Sequence, residues 1–202
     1  MTSDVDVDRA AQALAAGEVI VLPTDTLYGL CALATDPGAT NRIFDIKGRT
    51  ATVPIAVLCT DVAQALSLTT PAAARSIQRA ADDWWPGPLT LVVPRRDGLD
   101  LHLGEPTHTV GLRVPDSDLV RAIAARVGPI AATSANRHGA APITRAEQVP
   151  EALGDGVALV IDGGEIDAGA STVVDATGWP WTELRAGPVP FMSLIADATP
   201  PG

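Results

Sequence analysis

Short apolar runs, most of them ending at a proline, a glycine or a polar cluster, recur along the chain and predict buried β-strands. The run at residues 109–114 alternates apolar with other residues, as a strand with one exposed face does. The full set of predicted strands covers residues 19–23, 54–59, 89–93, 109–114, 130–133, 157–161, 171–175 and 181–185.

Between these runs, apolar residues recur three or four positions apart, which predicts α-helices. Asp36 followed by Pro37 is a helix-opening pair, because aspartate caps the first turn and proline fits the first helical position. Asp61 and Thr70 predict two further helix starts in the same way. The other predictions are helices at residues 8–16, 37–47 and 116–127, and a capping box at residues 144–147.

Helices and strands alternate along the whole chain, which predicts a mixed α/β domain. The strands are short and unevenly spaced, so we expect a twisted, mixed, open sheet with helices packed around it. The length of 202 residues suits one domain, and the chain shows no repeat or linker. We predict a single domain over residues 1–202 with its core at about residues 10–190, a surface connection at residues 95–106 and a frayed tail at residues 197–202.

The stretch at residues 19–30, VIVLPTDTLYGL, places Thr24, Asp25, Thr26 and Tyr28 directly after a predicted strand. Polar side chains at the end of a strand can hold a small polar ligand. The same residue types are also common in turns, where their side chains bond to the local backbone. From this stretch alone, a ligand pocket and a simple turn are equal interpretations.

The composition indicates which classes of partner the protein can bind and in which compartment it is expected. The formal net charge is −10, whereas a protein that binds nucleic acid usually carries a basic surface. Cys31 and Cys59 form no CxxC motif and lie beside apolar runs, as free core thiols in a reducing compartment do. The N-terminus does not resemble a signal peptide, and no apolar run reaches the roughly 18 residues of a membrane span. We therefore expect a cytoplasmic protein that does not contact a membrane.

Several familiar catalytic motifs are absent from the sequence. It contains no GxxxxGK[ST] and no GxGxxG, so we expect neither a P-loop nor a Rossmann-type nucleotide site. The segment GASTV around Ser171 departs from GxSxG, which argues against a serine hydrolase. His102, His108 and His138 lie far apart without metal-ligand spacing, so we predict no protein-bound metal site.

Cations and neutral polar residues instead follow the predicted strands and one helix. The cations are Lys47, the single lysine of the chain, with Arg49, Arg113 and Arg185. The neutral polar residues are Ser134, Asn136, Ser171 and Thr172. Side chains of these types meeting at one edge of a sheet would suit a phosphate or a carboxylate. Each also has a simpler explanation, since cations offset helix dipoles or lie along surfaces, and serine and asparagine are frequent in turns.

Seven short motifs occur in order along the chain: PTDTLYGL, KGR, WPGPLT, LRVP, TSAN, STVVD and LRAGP. Together they resemble the YrdC-like threonylcarbamoyl-adenylate synthase family, and the match runs from about residue 17 to residue 188. The pair KxR and SxN is the signature of that family, and the length resembles its single-domain bacterial form. The resemblance implies an α/β domain around a twisted, mostly open sheet with a concave, positively lined cavity.

The resemblance also implies a reaction. Members of the family join L-threonine, bicarbonate and ATP into threonylcarbamoyl-AMP and release pyrophosphate. A separate enzyme complex then transfers the threonylcarbamoyl group to the adenosine beside the anticodon of certain tRNAs. The carbamate and the triphosphate are both anionic, so the reaction needs cations that hold them together. Mg²⁺ would arrive with ATP, bound mainly by phosphate oxygens and water.

The matching motif positions imply roles for individual residues. Lys47 and Arg49 are expected to face the phosphates and to be the catalytic residues. The other expected ATP contacts are Thr109, Ser134, Asn136 and Arg185. The expected threonine contacts are Thr26, Arg113, Ala132 and Ser171. Among these, Arg113 is expected to bind the carboxylate of threonine.

The chain departs from the family pattern at a few positions. Thr50 and Val53 stand where members often have a proline and a polar residue, and Leu58 stands where some have a histidine near threonine. Two other interpretations stay open. One is a non-catalytic module that contacts double-stranded RNA, against which the net charge weighs. The other is a related carbamoyl-transfer enzyme with a different acceptor.

Overall fold

The structure of the chain, a computed structural model, describes residues 3–196, so the predicted tail lies outside the described residues. The helices are α1 (Asp4–Ala15), α2 (Pro37–Lys47), α3 (Val62–Ser67), α4 (Pro71–Trp84), α5 (Asp118–Val127), α6 (Val149–Leu153) and α7 (Phe191–Ala196). The strands are β1 (Ile20–Pro23), β2 (Tyr28–Leu33), β3 (Ala56–Leu58), β4 (Leu89–Pro94), β5 (Thr109–Arg113), β6 (Ile130–Ser134), β7 (Leu159–Val160), β8 (Thr172–Asp175) and β9 (Thr182–Arg185).

The nine strands within residues 3–196 form one sheet in the order β7-β1-β2-β6-β3-β5-β4-β8-β9. Three neighbouring pairs are parallel, namely β7 with β1, β3 with β5 and β4 with β8, and the other five are antiparallel. The predicted α/β class and mixed sheet are therefore confirmed. Strands far apart in sequence lie side by side, so residues from distant motifs come together on the sheet.

The strand β2 is the largest difference from the predicted elements. The pattern of residues 19–30 predicts one strand followed by a turn, but Tyr28 begins a second strand that pairs antiparallel with β1. This strand lies between β1 and β6, and its first five residues are buried. Because both of its faces are covered, it shows no alternation of apolar and polar residues. Its glycine and alanine are also weak strand formers.

The two faces of the sheet are covered differently. One face packs on α2 and α4 in a core that includes Leu30, Leu91 and Ile77. On the opposite face, α1 and α5 pack against each other and over β1, β2 and β3, where Leu14 and Leu22 belong to a second core. The remainder of this second face, toward β5, β4, β8 and β9, borders an open cavity.

Several predicted boundaries are corrected by the structure. Helix α1 begins at Asp4 rather than at residue 8, because acidic residues in a first turn favour the helix dipole. Helix α5 begins at Asp118, after a cap by the Ser117 side chain. The predicted capping box at residues 144–147 is shifted by one residue. The side chain of Gln148, rather than that of Glu147, accepts from the backbone N–H of Arg145. Helix α7 was not predicted.

The segment at residues 95–106 is more than a surface connection, because Leu101 and Leu103 are buried in the core. Cys31 and Cys59 are free and buried, as predicted, and burial raises the pKa of each thiol to about 12. Within residues 3–196, no helix is both long enough and apolar enough to span a membrane.

Candidate functional site

A cavity of about 500 Å³ opens on the second face of the sheet, beside the part that α1 and α5 cover. Alternate residues of neighbouring strands form its floor, because every second side chain of a strand points to the same face. The small floor residues are Gly29, Ala56, Gly111 and Ala132. The polar lining includes Thr26, Arg49, Thr90, Thr109, Arg113, Ser134, Ser171 and Arg185. Among the described residues, the lining carries three arginines and no aspartate or glutamate.

Arg113 at the end of β5 is a buried cation, only 6% exposed. Its Nε donates to the carbonyl oxygen of Gly87 at 3.1 Å, and its Nη1 donates to Oγ1 of Thr26 at 2.8 Å. Its Nη2 donates to Oδ1 of Asp25 at 2.6 Å. Burial lowers the pKa of the guanidinium, and the charge of Asp25 opposes this shift. A guanidinium has five N–H donors, so two N–H groups remain, enough for a bidentate contact with one carboxylate.

The WPGPLT motif positions Arg113 through the backbone of Gly87. Gly87 carries the carbonyl that Arg113 contacts, and its N–H donates to the carbonyl of Val114 at 2.9 Å. A Cβ at Gly87 would lie 2.5 Å from the carbonyl oxygen of Trp84, so the turn accommodates only glycine here. The glycine of the motif thus fixes the backbone that holds Arg113.

A second arginine, Arg185 of β9, is held by Ser171. Its Nε donates to the carbonyl of Ser171 and its Nη2 to Oγ of the same residue, each at 3.0 Å. The hydroxyl of Ser171 also lies 3.0 Å from the hydroxyl of Thr90 on β4. Burial and then the charge of Arg113 lower the pKa of Arg185. The positive charges of these two arginines, both on the cavity lining, therefore disfavour each other.

The third arginine, Arg49, follows the end of α2 and lies over the ring of Phe44, with Cζ 5.7 Å from the ring centroid. Its Nε and Nη2 are buried, and neither finds a hydrogen-bond partner within the described part of the chain. Burial lowers the pKa of this guanidinium. Buried donors without acceptors are unusual in native structures and mark a position where a ligand can bind.

Lys47 and Asn136 are brought together, but they lie outside the cavity lining. The Lys47 ammonium donates to the carbonyls of Ser134 and Asn136 at 2.7 and 2.8 Å, and to Oδ1 of Asn136 at 3.1 Å. Burial, followed by the charge of Arg49, lowers the pKa of Lys47 to about 8. The lysine therefore holds the turn after β6, which presents Ser134 to the cavity.

The family model Sua5_yciO_yrdC, described as telomere recombination, matches residues 12–187. The chain belongs to this family. A Mycobacterium tuberculosis protein, provisionally named threonylcarbamoyl-AMP synthase, is 40% identical over 183 residues, which cover 89% of this chain and 83% of that protein. The threonylcarbamoyl-AMP synthase of Bacillus subtilis is 37% identical over 175 residues, which cover 86% of this chain and 50% of that protein.

A solved structure of the Sua5/YciO/YrdC family also matches the fold. The crystal structure of Pyrococcus abyssi Sua5 complexed with L-threonine superposes with a TM-score of 0.89 at 33% identity. The match covers 97% of this chain and 59% of that protein, so the chain spans little more than half of the Pyrococcus protein. The family membership implied by the seven motifs is confirmed.

Of the ten predicted site residues, those on the cavity lining are Thr26, Arg49, Thr109, Arg113, Ala132, Ser134, Ser171 and Arg185. The other two, Lys47 and Asn136, contact Ser134 within the adjoining turn instead. The motifs therefore identify residues that do lie together. Which ligand each of them binds stays a prediction.

The turn between β1 and β2 agrees with both interpretations of its sequence, as a simple turn and as part of a ligand pocket. Thr24 is a turn residue, since its Oγ1 donates to the carbonyl of Leu27 at 2.6 Å. Thr24 and Thr26 both line the cavity, and Thr26 also accepts from Arg113. The hydroxyl of Tyr28 donates to the carbonyl of Gly164 at 2.7 Å, which ties β2 to the loop after β7. Burial raises the pKa of this tyrosine.

The motif positions do not assign every residue of the site. Thr90 and Gly111 line the cavity although no motif position predicts them there. Asp25, which belongs to the possible pocket stretch but has no assigned role, pairs with Arg113. Period-two alternation along residues 109–114 signals Gly111, because it lies on the same face as the predicted Arg113. No sequence signal pairs Asp25 with Arg113, because the two lie 88 positions apart.

Proposed function

We propose that this chain forms threonylcarbamoyl-AMP and pyrophosphate from L-threonine, bicarbonate and ATP. The observation that carries the proposal is a cavity lined by three arginines and, among the described residues, no carboxylate, in a chain of net charge −10. Like charges on the lining of one cavity repel one another, so such a cluster is unfavourable unless an anion binds among them. ATP and a carbamate are anions of this kind.

We assign the threonine subsite to the region around Arg113. Its two remaining N–H groups suit the carboxylate of an amino acid, the hydroxyl of Thr26 contacts it, and Ser171 provides a further hydroxyl on the same cavity lining. The Pyrococcus abyssi Sua5 structure is a complex with L-threonine, and the high similarity of the two folds supports this assignment.

We assign the phosphates of ATP to Arg49 and Arg185. The unpartnered Nε and Nη2 of Arg49 are donors that phosphate oxygens would satisfy. Ser134 and Thr109 provide neutral hydroxyls on the same lining. A direct phosphate contact by Lys47, as the KxR motif implies, requires its ammonium to leave at least one of three carbonyl partners.

The proposed reaction has two steps. The amine of threonine and bicarbonate combine to a carbamate with loss of water. An oxygen of the carbamate then attacks the α-phosphorus of ATP, and the bond from that phosphorus to the pyrophosphate oxygen breaks. Arg49 and Arg185 would hold the phosphates in line and offset the charge that gathers on the leaving pyrophosphate.

We propose that Mg²⁺ enters with ATP. Within residues 3–196, no three His, Cys, Asp or Glu side chains lie close enough together to hold a metal, and the lining residues of that range offer no carboxylate ligand. The donor set thus suits a metal bound mainly through phosphate oxygens and water, where it would neutralise phosphate charge. The acceptor complex for tRNA modification and a cytoplasmic location belong to the same proposal.

The test is pyrophosphate release by the full chain with ATP, L-threonine, bicarbonate and Mg²⁺, each omitted in turn. We expect release only in the complete mixture, with threonylcarbamoyl-AMP detected by mass spectrometry in equal amount. Release that continues without threonine and bicarbonate would disprove the synthase proposal. Retention of double-stranded RNA at moderate salt, without such turnover, would support the RNA-binding interpretation instead.

A further inference from the structure

Asp25, to which no motif assigns a role, forms a buried ion pair next to the proposed threonine subsite. It lies in the turn between β1 and β2, directly before Thr26. Its Oδ1 accepts from Nη2 of Arg113 at 2.6 Å. The side chains of Asp25 and Arg113 are 13% and 7% exposed, so solvent screens this pair little.

Stability does not explain this aspartate. Its second carboxylate oxygen, Oδ2, is buried and has no hydrogen-bond partner among residues 3–196. An unsatisfied buried carboxylate oxygen is unfavourable for folding, and a buried ion pair is often no better than an apolar pair of the same size. The presence of Asp25 is therefore better explained by its effect on the neighbouring Arg113.

The neighbour is Arg113, and the orientation of its guanidinium matters for binding a ligand. Arg113 is held by three contacts, to Gly87 behind it and to Thr26 and Asp25 in the β1–β2 turn. Of these three, the contact with Asp25 alone is with a charged group, so it is expected to be the strongest. The Asp25 carboxylate also offsets the repulsion between Arg113 and Arg185, which both line the cavity.

We propose that Asp25 is a positioning residue for the amino-acid subsite. It holds the Arg113 guanidinium in the one orientation that leaves two N–H groups available to the carboxylate of threonine. It acts through Arg113, because Asp25 lies outside the cavity lining and Arg113 lies on it. This inference rests on the proposed function and extends it to a residue outside the cavity.

The test is the substitution Asp25→Asn, which keeps the shape and one oxygen acceptor and removes the charge. We expect the KM for threonine to rise about five- to tenfold, because the charge-assisted contact with Arg113 becomes a weaker neutral one, with the KM for ATP within about twofold. The melting temperature should fall, because the buried Arg113 loses its counter-charge and the amide nitrogen of asparagine takes the place of the unpartnered oxygen. Asp25→Ser is a second variant with the same expectation, should the first fail to fold.

The matched control is Asp116→Asn, which removes the charge of an exposed aspartate 3.5 Å from Arg121. It should leave both KM values unchanged. A threonine Kd measured by calorimetry in Arg113→Ala and in the double variant provides the decisive comparison. If Asp25 acts through Arg113, adding Asp25→Asn to Arg113→Ala changes the Kd by less than about twofold.

Different results would contradict the role of Asp25 and the proposed function. An unchanged threonine KM in Asp25→Asn, or equal rises in both KM values, would overturn the inference. A full additional loss in the Arg113→Ala background would also overturn it, because Asp25 would then contact threonine directly. A parent protein that neither binds threonine nor releases pyrophosphate would overturn the proposed function itself, and the inference with it.

Discussion

The same face of one sheet carries two different surfaces. Over β1 and β2 it is sealed by α1 and α5, with fully buried side chains such as Leu14, Leu22 and Ile123. Toward β5, β8 and β9 it stays open, with a glycine in the floor and arginines at the strand ends. The backbone is continuous across both halves, so side-chain size and charge make the difference.

The comparison shows how the chain separates stability from ligand binding. The sealed half buries large apolar side chains, which is the main favourable contribution to folding. In the open half, Arg49 has unpartnered nitrogens and Arg113 repels Arg185, and neither feature favours folding. Substitutions should therefore affect stability in one half and turnover in the other.

The largest expected effect is on the sealed half. Leu14→Ala on α1 removes a fully buried side chain and should lower the free energy of unfolding by about 2–5 kcal/mol. In a domain of this size that corresponds to a fall of about 5–15 °C in melting temperature. Below the melting transition, the KM values for threonine and ATP should stay within about twofold of the parent. A large rise in either KM with little change in melting temperature would mean that the two halves are not separate.

The opposite pattern is expected for the open half. Arg49→Ala should lower pyrophosphate release more than tenfold, because a charge-assisted phosphate contact is lost. The melting temperature should change little, since the arginine is half-buried and two of its nitrogens are unpartnered. The control is Arg75→Ala, at an exposed position of α4, which should match the parent in both measurements. Parent-like turnover in Arg49→Ala would remove Arg49 from the site.

The sealed half was the easier part to predict in outline, because apolar periodicity reports burial directly. Even there β2 was missed, since a central strand covered on both faces has no alternation, and the sequence YGLCAL contains weak strand formers. The predicted helix at residues 8–16 begins later than α1, because the acidic first turn of α1 has few apolar residues. Local pattern thus predicts the middle of an element better than its limits.

In the open half, motif positions predicted the lining residues well but not their partners. Arg113 was identified, whereas its contact with Asp25 depends on the pairing of β3 with β5 and on the β1–β2 turn, which no local pattern encodes. Lys47 and Arg49 were assigned together because they are two positions apart. The helix ends between them, so their side chains point to different surroundings, a carbonyl-lined turn and the cavity.

The smallest expected effect tests whether small floor residues keep the cavity open. A Cβ at Gly111 would lie 3.5 Å from Cγ2 of Thr90 and 3.6 Å from Cβ of Ala56, which are ordinary contacts, so Gly111→Ala should fold. Replacing a strand glycine by alanine should raise the free energy of unfolding by about 0.5–1 kcal/mol. The added methyl group occupies ligand space, and we expect the KM for threonine or ATP to rise about two- to tenfold.

The matched control for Gly111→Ala is Gly178→Ala in the turn between β8 and β9, where a Cβ would meet nothing within 4 Å among the described residues. It should leave both KM values unchanged, because it adds the same methyl group away from the cavity. A Gly111→Ala protein that is more stable and binds its substrates less well would show that the open half trades packing for ligand space. A variant with parent-like KM values would show that the floor at Gly111 lies beyond the reach of the ligands, and the cavity would then be larger than its substrates need.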